Sequence, residues 1–294
     1  MNTNLNHFMN GHLPLIEKEL EFQIQSISAP QPLKESMLYS VLAGGKRIRP
    51  LFLLAVLDFL NEQHKDAYTI GAAIEMIHTY SLIHDDLPSM DNDDYRRGKL
   101  TNHKVYGEAL AILAGDALLT YSFGMIARLP NLTAESKLDL IQAFSEASGA
   151  EGMVGGQVLD MESERKKISV TELEFIHKNK TGALLEFSIY AGAILANATG
   201  DKVKALKNYA RHIGIAFQIQ DDILDIEGTS EALGKTAGKD VASDKNTYPA
   251  LLTLQGAKDK KEWHINQALS SLRSINEESG ILDELASYII NRSN

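Results

Sequence analysis

The chain has 294 residues, a net charge of −10 from 39 acidic against 29 basic side chains, 44% hydrophobic residues and no cysteine. This is enough apolar material for a large core, and it excludes disulfides, thiolate catalysis and cysteine-bound zinc. The acidic balance argues against nucleic acid as a partner, since nonspecific binding to it needs a basic face. Residues 1–8 carry no basic stretch followed by an apolar one, so no signal peptide is expected. The apolar run 50–60 is interrupted by Asp58 and falls short of a membrane span of about 20 residues. The expectation is a cytoplasmic protein without membrane insertion.

Apolar residues at three- and four-residue spacing predict helices over 51–60, 71–84, 109–129, 137–151, 172–198 and 202–225. Thr171-Glu172-Leu173-Glu174 reads as a capping box for the fifth of these. Loops are expected at 29–32, at 92–99 and in the glycine-rich stretch 228–243. No strand alternation, repeat or low-complexity linker is visible. The prediction is an all-α protein with a single domain over 1–294.

Two acidic clusters carry the chemistry. Asp85, Asp86 and Asp91 follow one predicted helix and run into Arg96-Arg97, while Asp221, Asp222 and Asp225 end another. Carboxylates packed this closely repel one another and lose hydration when enclosed, unless cations join them. Mg2+ suits such oxygen ligands and is commonly completed by substrate phosphates, and adjacent guanidinium groups bind phosphate oxygens in pairs. On the later helix Gly214, Gln218, Asp221, Asp222 and Asp225 fall on one face; Ile74, His78, Ser81 and Asp85 form a comparable stripe on the earlier one. Gly44-Gly45-Lys46-Arg47-Ile48-Arg49-Pro50 is a basic loop whose glycines allow close approach to an anion. Gly182, after Lys180-Thr181 in an apolar helix pattern, suggests a kink beside a ligand. Gly152 to Gln157 suggest close helix packing, with Asp160 a weaker site candidate. Gly234 to Asp240 lack the spacing of a phosphate-binding P-loop and suggest a closing flap.

Together these residues resemble the trans-isoprenyl diphosphate synthases, most closely the bacterial farnesyl diphosphate synthases. The likeness runs from about Met37 to Asn291 and includes Lys180-Thr181-Gly182, Phe217-Gln218 and Lys245-Asn246-Thr247-Tyr248-Pro249. It implies a helical bundle around a central cavity, a homodimer, three Mg2+, and head-to-tail condensation of isopentenyl diphosphate with dimethylallyl or geranyl diphosphate. It implies isopentenyl diphosphate binding by Gly45, Lys46, Arg49, His78 and Arg97. Arg96, Lys180, Lys235 and Lys245 correspond to clamps on the allylic diphosphate, with Thr181 and Gln218 beside the allylic chain. Asp85, Asp91 and Asp221 correspond to direct Mg2+ ligands, and Asp86, Asp222 and Asp225 to supporting ones. Tyr80, with small Ser81 beside it, would set the floor for a C15 product. The alternatives are a C20 synthase and a non-catalytic subunit of the same fold. A His-Asp phosphohydrolase built on His84-Asp85 lacks further clustered histidines.

Overall fold

The computed structural model describes residues 3–164, 166–227, 246–275 and 280–291. They are almost entirely helical. The first helices are α1 (Thr3–Gln25), α2 (Gln31–Val41), α3 (Ile48–Phe59) and α4 (Ala67–Asp85). Two antiparallel two-residue strands follow, β1 (Tyr95–Arg96) and β2 (Lys99–Leu100), pairing Tyr95 with Leu100 and Arg96 with Lys99. Then come α5 (Asn102–Tyr106), α6 (Glu108–Ala127), α7 (Ala134–Ser148), α8 (Met153–Ser163) and α9 (Val170–His177). A π-helical turn, Lys178–Gly182, leads into α10 (Ala183–Leu195), then α11 (Asp201–Glu227), α12 (Tyr248–Arg273) and α13 (Gly280–Asn291). The all-α expectation holds, and the small hairpin begins inside the expected 92–99 loop.

Contacts gather into two compact units. One comprises Met1–Leu5, Phe52–Gln63 and Gln142–Asn294; the other, Asn6–Leu51 and His64–Ile141. Each is discontinuous in sequence, so no single linker divides them. In the second unit α6 packs along α4, whose Ile70, Ala73, Ile74 and Ile77 are wholly buried. Asn102 of α5 ties down α2: its amide donates to the Ser36 carbonyl at 2.9 Å and to Ser40 Oγ at 2.8 Å. By length and composition α6, rather than the 50–60 run, is apolar enough to cross a membrane. Its packing against α4 gives that hydropathy another use.

In the first unit α11 is the spine. Ile215, Ile219 and Ile223, spaced four apart, join Leu173 of α9 with Tyr248 and Ala257 of α12 in one buried cluster. Leu206, Tyr209, Ala210 and Ile213 are buried as well, so α11 is covered on more than one face.

Three sequence expectations change. The capping box belongs to Ser169, whose hydroxyl accepts from Glu172 N at 3.2 Å while Ser169 N donates to Glu172 Oε2 at 2.7 Å; α9 therefore starts before Thr171. Gln31 and Pro32, read as loop, open α2, where a proline costs no helical hydrogen bond. The continuous helix over 172–198 is interrupted by the π turn. The kink suspected at Gly182 is that turn, and two close crossings confine it. A Cβ on Gly156 of α8 would lie 2.2 Å from Lys180 N, and one on Gly214 of α11 would lie 3.0 Å from Gly182 Cα.

The Gly156 crossing gives a direct test. Gly156→Ala forces α8 away from the backbone of Lys180 and should cost about 1–3 kcal/mol, read as a lower urea midpoint. A variant as stable as the parent would show that the helices part without penalty.

Candidate active site

The basic loop is organised around one arginine that the sequence does not distinguish from its neighbours. Arg47 is buried at 2% exposure; its Nε donates to Glu17 Oε1 at 2.7 Å, Nη1 to Glu75 Oε1 at 3.2 Å and Nη2 to the Val41 carbonyl at 2.6 Å. One guanidinium thus ties α1, the end of α2 and α4 to the loop. Lys46 and Arg49 flank this anchor and are both half-buried.

Arg97 closes the other side of the loop. Its Nη1 donates to the Gly44 carbonyl, and its guanidinium lies against Gly45, where an added Cβ would meet Cζ at 2.7 Å. Gly45 has φ of +122°, so glycine is required there on both counts. His78 stands among these cations. Burial, then the charges of Arg49, Arg97, Arg96 and Arg47, push its imidazole well below the usual range, leaving it neutral. The positive potential that these arginines place on His78 suits an anion.

The first aspartate set sorts by exposure. Asp86 is 3% exposed and holds Arg96, with Oδ1 2.8 Å from Nε and 2.6 Å from Nη2. Burial pushes its carboxyl upward while Arg96 pulls it back. Asp85 is half-buried and Asp91 exposed; the Asp85 carbonyl accepts from Asp91 N at 2.8 Å and folds the turn between them. Arg96, expected as a phosphate clamp, here engages a carboxylate of its own chain.

The second set sorts the same way. Asp222 is 3% exposed and accepts from Tyr248 N at 2.9 Å and Gln218 Nε2 at 3.2 Å. Gln218 also accepts from Thr181 Oγ1 at 3.0 Å, which joins the π turn to α11. Asp225 is buried, whereas Asp221 is half-buried. The Thr247-Tyr248-Pro249 stretch therefore has a structural role, in which Thr247 caps α12 and the Tyr248 amide fixes Asp222. Lys180 donates to Asp160 Oδ2 at 2.6 Å, which gives the weaker candidate Asp160 a definite partner. Lys235, Lys245 and the expected flap lie outside the described residues.

Every candidate metal donor is a carboxylate oxygen, the donor class of a hard divalent cation. Asp91 is exposed and Asp85 and Asp221 are half-buried, while Asp86, Asp222 and Asp225 are buried. Among the described residues no three acidic or imidazole groups are already gathered about one ion position.

Tyr80 is 6% exposed on α4, its ring 5.7 Å from that of His84 in an edge-on arrangement. Burial and the charge of Asp85 push its phenol up to about 12. Ser81 beside it donates to the His78 carbonyl at 2.9 Å.

Residues 30–286 match the family model described as polyprenyl synthetase. The chain is 50% identical over 294 residues to a farnesyl diphosphate synthase of Bacillus subtilis (strain 168), covering 99% of both proteins. It is 48% identical to that of Geobacillus stearothermophilus, covering 98% of both. It is also similar, at TM-score 0.87 and 37% identity, to the apo crystal structure of an FPP/GFPP synthase from Zymomonas mobilis. That alignment covers 99% of this chain and 100% of the other.

The arginine anchor can be tested apart from activity. Arg47→Ala leaves Glu75, itself 2% exposed, without its countercharge, and should destabilise the fold by about 3–5 kcal/mol in urea unfolding. A loss below about 1 kcal/mol would mean that Glu75 reaches water at little cost.

Proposed function

Because this chain belongs to the polyprenyl synthetase family, we propose that its two aspartate sets and its basic loop are the working parts of a farnesyl diphosphate synthase. The enzyme is a prenyltransferase that joins isopentenyl diphosphate head-to-tail to dimethylallyl and then geranyl diphosphate, giving (E,E)-farnesyl diphosphate. The observation that carries the reading is the pair of aspartate sets with the Arg97-braced glycine loop in a chain 50% identical over its length to a farnesyl diphosphate synthase.

Isopentenyl diphosphate would rest on Gly45, Lys46, Arg49, His78 and Arg97. Arg96, Lys180, Lys235 and Lys245 hold the allylic diphosphate, with Arg96 and Lys180 exchanging Asp86 and Asp160 for phosphate oxygens. A divalent metal, proposed as three Mg2+, would be held by Asp85, Asp91 and Asp221, with Asp86, Asp222 and Asp225 orienting them. Such metal neutralises the charge of a departing diphosphate. Cleavage of the allylic C–O bond leaves a carbocation and diphosphate. Lys180, Lys235 and Arg96 stabilise the leaving group, and Gln218 and Thr181 flank the ionising carbon. The alkene of isopentenyl diphosphate attacks that carbon, and the released diphosphate takes the proton then lost. Exclusion of water protects the cation, a role we assign to the apolar side chains and to the 228–243 flap.

Residues 1–294 are proposed to act as one domain, in the cytoplasm and as a homodimer. Exposed Ile112 and Leu113 on α6, with Val105 of α5, support such an association.

Asp85→Ala and Asp221→Ala should each lower turnover by roughly 10²–10³-fold while leaving the helical signal in circular dichroism intact. Near-normal release of diphosphate with Mg2+ in both variants would overturn the metal assignment. Product length tests Tyr80, which lies about 7.5 Å along α4 from Asp85 by helical rise. Tyr80→Ala should shift the product from C15 toward C20 or longer, as read by chromatography of the dephosphorylated alcohols. An unchanged C15 profile would move the floor to another residue.

A further inference from the structure

On α11, His212 lies ten residues before Asp222, about 15 Å along the axis. Its Nδ1 is 2.9 Å from Nδ1 of His264 on α12. His264 is 3% exposed, and its Nε2 is 3.9 Å from Oε1 of Glu174 on α9. Lys260 sits 2.9 Å from the same carboxylate oxygen and balances its charge. Trp263, half exposed, flanks both imidazoles, with ring centres 5.6 Å from His212 and 4.8 Å from His264. The reaction assigned above uses none of these groups.

We propose that His212 and His264 form a binding site for a borderline divalent transition ion, separate from the aspartate sets. At 3.9 Å the Glu174 carboxylate is beyond hydrogen-bond reach of His264 Nε2, but its charge on that side of the ring favours the tautomer with the proton on Nε2, which leaves the Nδ1 lone pair directed at His212; on loading, the carboxylate closes that gap. A carboxylate behind a histidine is the support that orients metal-bound imidazole and raises its basicity. Two nitrogens bound to one ion at about 2.0–2.1 Å stand roughly 2.9–3.4 Å apart, so the pair already has the necessary separation. Loading requires the rings to turn until the two lone pairs converge, and the His212 proton to pass from Nδ1 to Nε2. That transfer is easy because His212 is the more exposed ring. Both imidazoles are held neutral. Burial and Arg211 depress His212, although Glu174 opposes them; burial, His212 and Lys260 bring His264 to about 3. Neutral imidazole is the form that binds metal. The donor type selects Zn2+, Ni2+ or Cu2+ over Mg2+, the reverse of the aspartate sets.

Trp263 is the only tryptophan in the chain, so its emission reports on this site directly. With the full chain in excess Mg2+, titration with Ni2+ should quench that emission saturably, and a chelator should restore it. His212→Gln keeps a hydrogen-bonding partner for His264 but removes a metal-binding nitrogen. It should raise the Ni2+ concentration for half-quenching at least about tenfold, and Glu174→Gln should weaken binding by about 10–100-fold. Unaltered melting temperatures in both variants would establish that the fold survives. The proposal is overturned if Ni2+ leaves the emission unchanged, or if quenching persists at the same concentration in His212→Gln. Neither result would bear on the farnesyl diphosphate reading, which is assayed by product.

Discussion

A guanidinium closed off from water sets the conditions for much else in this protein. Arg47 cannot remain charged in its position without Glu75 and Glu17, and Glu75 cannot stay covered without it. The mutual requirement fixes the start of α3 against α1 and α4. It leaves the neighbouring Lys46 and Arg49 on a backbone that cannot drift. Arg97, seated on Gly44 and Gly45, depends on the same fixed loop. Positive charge is thus concentrated beside His78 by committing one arginine to structure.

The acidic residues obey a related rule. Each set has a buried carboxylate with a firm protein partner, Asp86 with Arg96 and Asp222 with Tyr248 N, and the more open Asp85 and Asp221 adjoin them. A buried carboxylate held by hydrogen bonds keeps its neighbours' backbone in place. Lys180 follows the same logic by resting on Asp160. Groups suited to grip phosphate are therefore kept in order by internal acids. Their pairs are strong enough to preset geometry, yet partly open to water, so that a multiply charged anion can compete for them.

Much of this is legible in the residues, and what is not has identifiable causes. The helices with long regular apolar spacing, α4, α6 and α11, fall within a few residues of where that spacing puts them. α1 carries a regular buried stripe, Leu5, Phe8, Met9, Ile16, Leu20 and Ile24, but Pro14 inside it masks the helix in the sequence. α8 is absent from the predicted helices because Gly155 and Gly156 thin its apolar spacing, although the close helix packing suggested for Gly152 to Gln157 is what Gly156 makes against Lys180. The two aspartate sets stand out because charge density is a local property. The separate fate of Arg47, two places from Arg49, does not, since it depends on Glu75, 28 residues away. Asp160 reads as a weak candidate for the same reason, its partner Lys180 lying 20 residues on. The imidazole pair of His212 and His264 is 52 residues apart and leaves no trace in the chain.

The π turn at Lys178–Gly182 has a consequence for how such a chain is spelled. A π turn accommodates one residue more than the surrounding α-helix would, and each added residue rotates everything beyond it by about 100°. Leu173 and Ile176 on the apolar side of α9 stand eleven residues before Leu184 and Phe187 on that of α10, so straight α-helical geometry would put both pairs on one face, about 20° apart, whereas the π turn offsets them. A helical wheel drawn straight through both would misplace one of them. The extra residue acts as punctuation: it lets a single continuous rod answer to two sets of neighbours, and Thr181 sits at the change of phase.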